Sequence, residues 1–416
     1  MRITAIAITL LLGATLGAQT PAVHHTGAFD TGRAAVIDRG LQRYVDSGGV
    51  PGIVALVMQD GKVVYEKAFG WSDKEADRRM TTDTIFRIAS QTKAMTSAAA
   101  LQLVEEGLLT LNTRAGAFIQ SFARTTVAFA NERGSVSQVP AVRPITIRDL
   151  LTHTAGISYG TDRSVAAMYE AKGLGPAAGF GWYTADKNEP VCDTMERLGT
   201  LPMVAQPGEA WVYGYNTDVL GCIVEKAAGS PLDAVIRDRI TAPLGMKDTQ
   251  FFLPASATAR LASVYASADG KYARAPNGAR GQGDYVEGPR RNFAGGAGLL
   301  STARDYARFL EAIRRGGSID GVRILSPLSV KLMSTNQVGT LHSTTGLGFG
   351  LGFETVDRFG ANGMSGEGAF GWGGAYGSVY RVDPEAKLVM VLMIQLIPNA
   401  TDIREVFPTL VYQALK

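Results

Sequence analysis

The first part of the chain changes from a helical to a strand-like pattern of apolar residues. Apolar side chains recur at helical spacing between residues 36 and 45, and the pattern stops at a Gly-Gly pair. Two continuous apolar runs follow at residues 53–58 and 62–69, and Asp60-Gly61 between them is a typical hairpin sequence. The chain is therefore predicted to open as a helix followed by two paired strands.

The end of the chain has a similar pattern in reverse order. Residues 376–382 and 388–396 are predicted strands, and Asp383-Pro384-Glu385 is the turn between them. The second run is apolar almost throughout, which is typical of a strand buried on both faces, so helices must cover both sides of its sheet. Residues 401–416 are predicted to supply one such helix, with a bend at Pro408.

The middle of the chain is dominated by helical patterns and by long loops rich in Gly, Pro and Ala. The clearest helical patterns cover residues 147–153, 217–228 and 232–240. We therefore predict an α/β fold in which an antiparallel sheet, built from both termini and sandwiched by helices, carries an inserted, mainly helical region. Residues 30–90 and 291–416 are assigned to the α/β sandwich domain, and residues 91–290 to the helical domain.

The composition indicates a folded interior and argues against several classes of function. Of 416 residues, 46% are hydrophobic and 19% are charged, which is enough apolar material for a large core. The net charge is +3 and no run of Lys and Arg occurs, so no nucleic-acid partner is expected. The four histidines lack the spacing of metal ligands, and no metal or other cofactor is predicted.

The N-terminal 18 residues have the pattern of a signal peptide. Arg2 precedes an apolar stretch at residues 3–16, and Gly17-Ala18 is a small-residue cleavage site. A membrane anchor is the alternative, but a span needs about 20 apolar residues and no such stretch follows. The protein is therefore predicted to be exported to the periplasm or secreted. Export would allow Cys192 and Cys222 to form a disulfide, although a buried free thiol at Cys222 fits the pattern as well.

Ser90 and Lys93 form the single Ser-x-x-Lys pattern of the chain. The pattern opens a stretch rich in Ala, Leu and Met, which predicts a helix buried on all sides. Ser90 would lie at the helix N-terminus, where free N–H groups favour a developing anion, and Lys93 would share its face. A buried lysine can have a lowered pKa and accept the serine proton. A capping serine with a surface lysine explains the pattern equally well.

Two further segments carry candidate chemistry. Tyr213 stands just ahead of the predicted helix at 217–228, where a phenol can shuttle a proton, although a buried core tyrosine is the commoner case. The glycine-rich segment 371–377 leads into a predicted strand, and its backbone N–H groups could reach a substrate oxygen. A tight turn or bulge is the alternative for this segment.

Ser158 is a rival nucleophile. It is the central residue of a G-x-S-x-G pattern, but that mechanism needs a strand before the serine, and the segment before it is a predicted helix. His342 is the only later histidine that could serve it, and it lies in a polar stretch. His153 is expected to fix a helix end through hydrogen bonds and not to act in catalysis.

Four motifs in this order resemble the serine β-lactamase-related superfamily, also called the penicillin-recognising fold. The order and spacing are most similar to the family VIII carboxylesterases, which are related to class C β-lactamases. The resemblance runs from about residue 35 to the C-terminus. The motifs are Ser90-x-x-Lys93, Leu150–Gly156, Tyr213 ahead of Asp218-Val219-Leu220-Gly221, and Trp372-Gly373-Gly374.

The resemblance implies a role for each matching residue. Ser90 is the expected nucleophile, Lys93 its helper, and Tyr213 acts with Lys93 as general base. The backbone N–H groups of Ser90 and Ala375 form the expected oxyanion hole. Substrate contacts are expected from aromatic and glycine residues, and these are Trp372, Gly373, Gly374 and Tyr376, with Trp182 or Tyr183 as further candidates.

Two departures from the family pattern bear on the substrate. The β-lactamases and peptidases carry a Lys-Thr-Gly type triplet where this chain has Trp372-Gly373-Gly374, and class C enzymes carry Asn where this chain has Tyr215. Asn216 lies one position further along the chain than the asparagine of the class C enzymes. The expected activity is therefore hydrolysis of small-molecule, short-chain esters through an acyl-enzyme. The alternatives are a β-lactamase, a D-Ala-D-Ala carboxypeptidase, or a penicillin-binding sensor that stays acylated.

Overall fold

The computed structural model describes residues 27–130, 136–174, 186–268, 270–278 and 281–416. The α-helices in these ranges are α1 (Ala34–Asp46), α2 (Thr92–Glu105), α3 (Ile147–Leu151), α4 (Ala166–Ala171), α5 (Val191–Gly199), α6 (Asn216–Ala228), α7 (Leu232–Ile236), α8 (Ala303–Arg314), α9 (Pro327–Ser334) and α10 (Ile403–Tyr412). The strands are β1 (Gly52–Gln59), β2 (Lys62–Asp73), β3 (Arg78–Arg79), β4 (Phe86–Arg87), β5 (Thr126–Ala130), β6 (Val136–Pro140), β7 (Tyr265–Ala268), β8 (Lys271–Arg274), β9 (Leu300–Ser301), β10 (Ser318–Ile319), β11 (Val322–Arg323), β12 (Leu347–Phe349), β13 (Glu354–Val356), β14 (Phe370–Gly373), β15 (Val379–Asp383), β16 (Leu388–Met393) and β17 (Leu396–Ile397).

Both ends of the chain contribute to one antiparallel sheet of eight strands, which confirms the predicted fold class. The strand order is β12-β13-β14-β15-β16-β1-β2-β3. Strand β16 lies between β15 and β1, with Met393 opposite Val54 and Leu388 opposite Gln59. The first and last thirds of the chain therefore meet at the middle of the sheet.

Strand β16 is buried on both faces, which explains its continuous apolar sequence. Met390 and Leu392 pack on one face with residues of α1 and α10. Val389 and Val391 pack on the other face with residues of α8. Because successive side chains of a strand point to opposite faces, an apolar residue is required at every position. The sheet is sandwiched by helices as predicted.

The hairpin between β1 and β2 has the turn that its sequence predicts. Asp60 and Gly61 have φ angles of 49° and 81°, so both lie in the left-handed region. A two-residue turn of this kind matches the right-handed twist of the strands, and Asp-Gly is among the pairs that adopt it most readily. Strand β2 extends to Asp73, beyond the predicted run.

The inserted region is built around α2 and α6, which pack against each other. Every residue of α2 from Thr92 to Leu103 is buried. The Cys192–Cys222 disulfide joins α5 to α6, which selects one of the two alternatives that the sequence left open. Two hairpins that the hydrophobic pattern did not indicate, β5–β6 and β7–β8, also belong to this region.

Two predicted strand boundaries in the C-terminal part differ from the structure. Strand β15 begins at Val379 and not at residue 376, because a turn closed by the hydrogen bond from the Gly377 N–H to the Gly374 carbonyl precedes it. The predicted strand at 388–396 is divided after Met393. The Ser378 hydroxyl bonds both the N–H and the carbonyl of Ile394, and this side chain replaces a backbone partner there.

Helix boundaries differ for similar local reasons. Helix α3 stops at Leu151 and not at His153, because His153 has a φ angle of 58°. Helix α7 gives way after Ile236 to a wider π-helical turn, and α10 continues through Pro408. Residues 1–18, the predicted signal peptide, lie outside the described residues. Within the described part, no helix is long and apolar enough to cross a membrane.

Candidate active site

Ser90 lies in the tight turn that leads into α2. Strand β4 pairs with β9, and a short 3₁₀ turn, Ala89–Gln91, connects β4 to the helix. Ala89 has a φ angle of 45°, a conformation that costs free energy for a residue with a Cβ and persists only where the surroundings impose it. Ser90 itself is 6% exposed. The hydroxyl therefore lies at the head of a buried helix, as the sequence predicts.

Lys93 lies one turn further along α2, and its amine is almost completely buried. The Nζ atom donates to Ser90 Oγ at 3.3 Å, to the Tyr159 hydroxyl at 2.9 Å and to the Gly296 carbonyl at 2.7 Å. Lys93 is 2% exposed. The structure thus brings the two residues of the Ser-x-x-Lys pattern into contact and excludes the alternative of a surface lysine.

Tyr159 is the residue of this site that the sequence reasoning missed. It is buried, and its hydroxyl accepts the Lys93 hydrogen bond. Burial raises the pKa of Tyr159 well above its usual value, and the neighbouring Tyr213 raises it further. Tyr159 follows Ser158 directly, so the same G-x-S-x-G segment contained the signal. That pattern indicates a serine nucleophile and gives no role to the tyrosine that follows it.

Tyr213 lies beside Lys93 without a hydrogen bond to it among the described contacts. The Lys93 Nζ atom is 4.8 Å from the centroid of the Tyr213 ring, and the two rings of Tyr159 and Tyr213 are 5.6 Å apart. The Tyr213 hydroxyl accepts a hydrogen bond from Trp372 Nε1 at 3.1 Å. The structure therefore places Tyr213 in the same cluster as Ser90 and Lys93, and its role as general base stays a prediction.

Close backbone packing brings the two tyrosines together. Gly214 lies directly against the carbonyl of Ile157, so tightly that no side chain would fit on the glycine. This contact aligns the segment before α6 with the segment after α3. Asn216, the first residue of α6, strengthens the contact by donating to the carbonyls of Ile157 and Val212. Asn216 is thus a structural residue of this junction.

The predicted oxyanion-hole segment lies next to the Ser90 turn. A Cβ on Gly374 would stand 2.7 Å from the carbonyl oxygen of Ile88, two residues before Ser90. The absence of a side chain at Gly374 therefore lets the end of β14 approach the turn that carries the nucleophile. Gly373 precedes this contact, and Ala375 follows it. The assignment of the Ser90 and Ala375 N–H groups to an oxyanion hole stays a prediction.

Aromatic side chains form a cluster around Tyr213. Trp211, Tyr213 and Trp372 are partly exposed, and Phe349 is buried. Trp211 stacks on Tyr213 with ring centroids 5.7 Å apart, and Trp372 contacts Phe349 edge-on at 5.5 Å. We call Trp211, Tyr213, Phe349 and Trp372 the aromatic wall. His342 packs against Trp211 at 4.5 Å and bonds Glu354 at 3.2 Å. The sequence indicated Tyr213 and Trp372 but not Trp211 or Phe349.

Tyr376, a predicted substrate contact, points into the interior. It is 4% exposed, and burial raises its pKa. Its environment includes Tyr285 and the buried Arg87. Tyr376 is therefore a buried residue of the core, and direct contact with a substrate stays an untested prediction. The other candidates, Trp182 and Tyr183, lie outside the described residues.

His153 and Ser158 occupy buried positions beside the site. Burial lowers the pKa of His153 well below its usual value, and Lys93 lowers it further. Its backbone carbonyl accepts the N–H of Val212, whereas its Nδ1 atom has no partner among the described residues. The Ser158 hydroxyl accepts the Gly160 N–H at 2.8 Å, and the element before Ser158 is α3 and not a strand. Ser158 therefore lacks the strand that a nucleophile elbow requires.

The metal-binding potential of the site is low in the described ranges. No group of three His, Cys, Asp or Glu side chains there could hold a metal ion. The polar group in contact with Ser90 Oγ is the Lys93 amine, which also bonds the Tyr159 hydroxyl and the Gly296 carbonyl. An amine in this position can accept the proton of a serine nucleophile, which is one requirement of acyl transfer.

Comparison with known proteins identifies the family. The family model described as Beta-lactamase matches residues 37–407. An uncharacterized protein of Mycobacterium tuberculosis is 36% identical over 378 residues, which cover 86% of this chain and 89% of the relative. Esterase EstB of Burkholderia gladioli is 31% identical over 375 residues, covering 86% and 90%. Among solved structures, EstCE1, a hydrolase with promiscuous acyltransferase activity, is similar with a TM-score of 0.75 and 26% identity, covering 92% and 98%. The chain therefore belongs to the serine β-lactamase-related superfamily.

Proposed function

We propose that the protein is a serine hydrolase that cleaves carboxylic esters with short acyl chains. The observation that carries this proposal is the 3.3 Å hydrogen bond between Lys93 Nζ and Ser90 Oγ, made between two largely buried side chains. The names of two relatives, an esterase and a hydrolase with acyltransferase activity, support the same chemistry.

The proposed reaction has two stages. Ser90 Oγ attacks the ester carbonyl while its proton passes to Lys93, with Tyr213 acting together with the amine. The N–H groups of Ser90 and Ala375 stabilise the oxyanion of the tetrahedral intermediate. The ester C–O bond then breaks, and the alcohol leaves with the proton. A water molecule repeats the sequence on the acyl-enzyme, releasing the carboxylic acid and restoring the Ser90 hydroxyl.

Trp372 favours esters over β-lactams and D-Ala-D-Ala peptides. It occupies the position where relatives that act on carboxylated substrates carry a lysine. In this protein the position bears an indole, which bonds Tyr213 and packs against Phe349. A charge-assisted contact to a substrate carboxylate is worth about 1.5–3 kcal/mol. Without it, relative efficiency toward such substrates is expected to fall about ten- to a hundredfold.

Covalent labelling tests the nucleophile. A fluorophosphonate probe is expected to label Ser90, and Ser90→Ala is expected to abolish both labelling and ester turnover. Ser158→Ala is the matched control, because Ser158 is buried nearby and its hydroxyl accepts the Gly160 N–H of its own turn. Peptide mapping identifies the labelled serine. An adduct on Ser158 would overturn the assignment, and stable acylation by an ester without release of acid would indicate a sensor.

A substrate comparison tests the reaction class. We expect kcat/KM to be higher for p-nitrophenyl butyrate than for a chromogenic cephalosporin, because Trp372 replaces the carboxylate-binding lysine. A D-Ala-D-Ala peptide should be a poor substrate for the same reason. A cephalosporin that is turned over more efficiently than the ester would replace the esterase proposal with a β-lactamase.

We also propose that the protein is exported. Residues 1–18 have the pattern of a signal peptide, and the Cys192–Cys222 disulfide is of a kind that persists in oxidising compartments. N-terminal sequencing of the protein purified from its natural host is the test. An intact residue 1 on the cytoplasmic protein would contradict export.

A further inference from the structure

A buried carboxylate, that of Asp218 on α6, lies behind the catalytic lysine. Asp218 is 0% exposed. Its Oδ1 atom accepts the N–H of Gly296 at 3.0 Å, whereas Oδ2 has no hydrogen-bond partner among the described residues. A buried carboxylate with an unsatisfied oxygen is costly to maintain, and helix packing alone does not require one.

Gly296 connects this carboxylate to Lys93. Its N–H donates to Asp218, and its carbonyl accepts the Lys93 amine at 2.7 Å. The residue has no room for a side chain, because a Cβ would overlap the Asp218 carboxylate. The adjacent Gly295 is fixed in turn, since its carbonyl accepts the Thr96 hydroxyl at 2.8 Å. The two glycines are thus held between α2 and α6.

The charge of Lys93 acts on the buried Asp218 carboxylate. Burial raises the pKa of Asp218 to about 6, against the opposing effect of the Lys93 charge. Above that pH the carboxylate is negative, and a buried negative charge stabilises the ammonium form of a nearby lysine. Below it, Asp218 is neutral and loses this influence.

Other titratable groups also face this pair from neighbouring elements. They are His153, Tyr159, Tyr213 and Tyr215. Burial lowers the pKa of His153 and raises the pKa values of Tyr159 and Tyr215, so these three groups remain neutral near pH 7. Tyr213 is unchanged in the Asp218 variants.

We propose that Asp218 is a positioning residue for the reaction: it holds Gly296, whose carbonyl orients Lys93, and its buried negative charge stabilises the ammonium that forms when Lys93 takes the Ser90 proton. This inference rests on the proposed function, because it assumes that Lys93 accepts that proton. Asp218 does not touch the substrate. It acts through Gly296 and through its electrostatic effect on the amine.

The proposed role of the Asp218 charge predicts how Asp218→Asn changes the pH dependence of the reaction. Asparagine retains an oxygen for the Gly296 N–H but removes the negative charge, so the ammonium that forms on Lys93 loses this stabilisation. Wild-type activity is expected to rise as Asp218 loses its proton near pH 6, and Asp218→Asn is expected to lack this rise. Above that pH the variant is expected to be slower than the wild type by less than about tenfold. Below about pH 6 the two proteins should converge, since wild-type Asp218 is then protonated.

The rate of Ser90 labelling by a fluorophosphonate, measured from pH 5 to 9, is the readout, together with kcat/KM for p-nitrophenyl butyrate. Asp383→Asn is the matched control, because Asp383 is equally buried but lies at the end of β15 and bonds Tyr412. Its pH profile should coincide with that of the wild type. Asp218→Ala removes the same charge and the Gly296 acceptor, so it should also lack the rise near pH 6 and should be slower than Asp218→Asn at high pH.

Each failure has a different signature. If the wild type is not labelled at Ser90, the proposed function fails and this inference fails with it. If labelling is normal but the Asp218→Asn profile coincides with that of the wild type, only the inference fails. A uniform loss in Asp218→Asn that persists below pH 6 would show a structural role and would overturn the inference as well. The same conclusion follows if neither Asp218 variant folds.

Discussion

Lys93 is the residue on which the proposed chemistry depends most. Its Nζ atom lies within hydrogen-bond distance of Ser90 Oγ, the Tyr159 hydroxyl and the Gly296 carbonyl, so three contacts fix its position. A lysine fixed in this way loses little conformational freedom when it accepts the Ser90 proton. The position of the amine is therefore set before any substrate arrives, which is the condition for efficient proton transfer.

Removing either partner in proton transfer should cost nearly as much as removing both. We expect Lys93→Ala and Tyr213→Phe each to lower kcat by about 10²-fold or more, which is the usual range for general-base catalysis. The double variant should fall well short of the product of the two losses, because groups that act as a unit are not additive. Steady-state kinetics on an ester, after thermal melts have established folding, is the measurement.

The control for these variants is Tyr412→Phe, which removes a buried hydroxyl bonded to Asp383 far from Ser90. It should leave kcat unchanged. The outcome that contradicts the assignment is specific. A fully active Tyr213→Phe beside an inactive Tyr159→Phe would transfer the role of Tyr213 to Tyr159, whose hydroxyl is the one bonded to Lys93.

The difference between Tyr159 and Tyr213 shows where sequence reasoning ends at this scale. Ser90 and Lys93 could be paired from the sequence because a helix brings residues three apart onto one face. No such rule relates α2 to the segment after α3. The contact between Lys93 and Tyr159 depends on how Gly214 packs against Ile157, and this packing has no periodic signature.

At the scale of elements, the relation of β14 to the Ser90 turn is the critical contact. Strand β14 ends at Gly373, and Gly374 lies against the carbonyl of Ile88. A side chain here would push the strand end away from the turn. The two predicted oxyanion donors, on Ser90 and Ala375, belong to these two elements, so their separation depends on this one contact.

Gly374→Ala is therefore expected to lower kcat/KM by at least about tenfold, because small displacements of catalytic groups are expensive. The thermal midpoint should change little, since only one strand end must move. Gly49→Ala is the control, because its Cβ would meet the Tyr44 carbonyl at 3.3 Å in a part of the fold remote from Ser90. Wild-type kinetics for Gly374→Ala would show that this contact does not position the donors.

Elements at both ends of the chain were predictable, and those in the middle were less so. An uninterrupted apolar strand such as β16 must be buried on both faces, which determines its place in the sheet. The boundary errors arose where one side chain overrides the periodic pattern. The Ser378 hydroxyl replaces a backbone partner at Ile394, and His153 adopts a left-handed conformation that ends a helix.

At the scale of the whole molecule, the disulfide stabilises the inserted region. It links α5 to α6, and α6 carries Asp218 and begins three residues after Tyr213. Removing a native disulfide typically costs about 2–4 kcal/mol. Whether two cysteines pair could not be predicted from their spacing, because pairing depends on how two helices pack.

The double variant Cys192→Ser/Cys222→Ser is expected to have a lower unfolding free energy by about 2–4 kcal/mol. Urea unfolding of oxidised wild type and variant measures the difference. Thiol titration of the denatured wild type should detect free thiols only after reduction. Equal stabilities, or two free thiols before reduction, would contradict the role assigned to this bond.

The position of β16 between β15 and β1 also has a consequence for how the protein reaches this state. The innermost pair of strands joins Val54 with Met393, so the sheet cannot close until almost the entire polypeptide has been synthesised. Until then β1 and β2 form a hairpin with an apolar, unpaired edge. A fold dominated by pairings between strands far apart in the sequence forms slowly and passes through aggregation-prone intermediates. Folding is therefore expected to be largely post-translational, with molecular chaperones that cover the apolar edge of the newly synthesised β1–β2 hairpin.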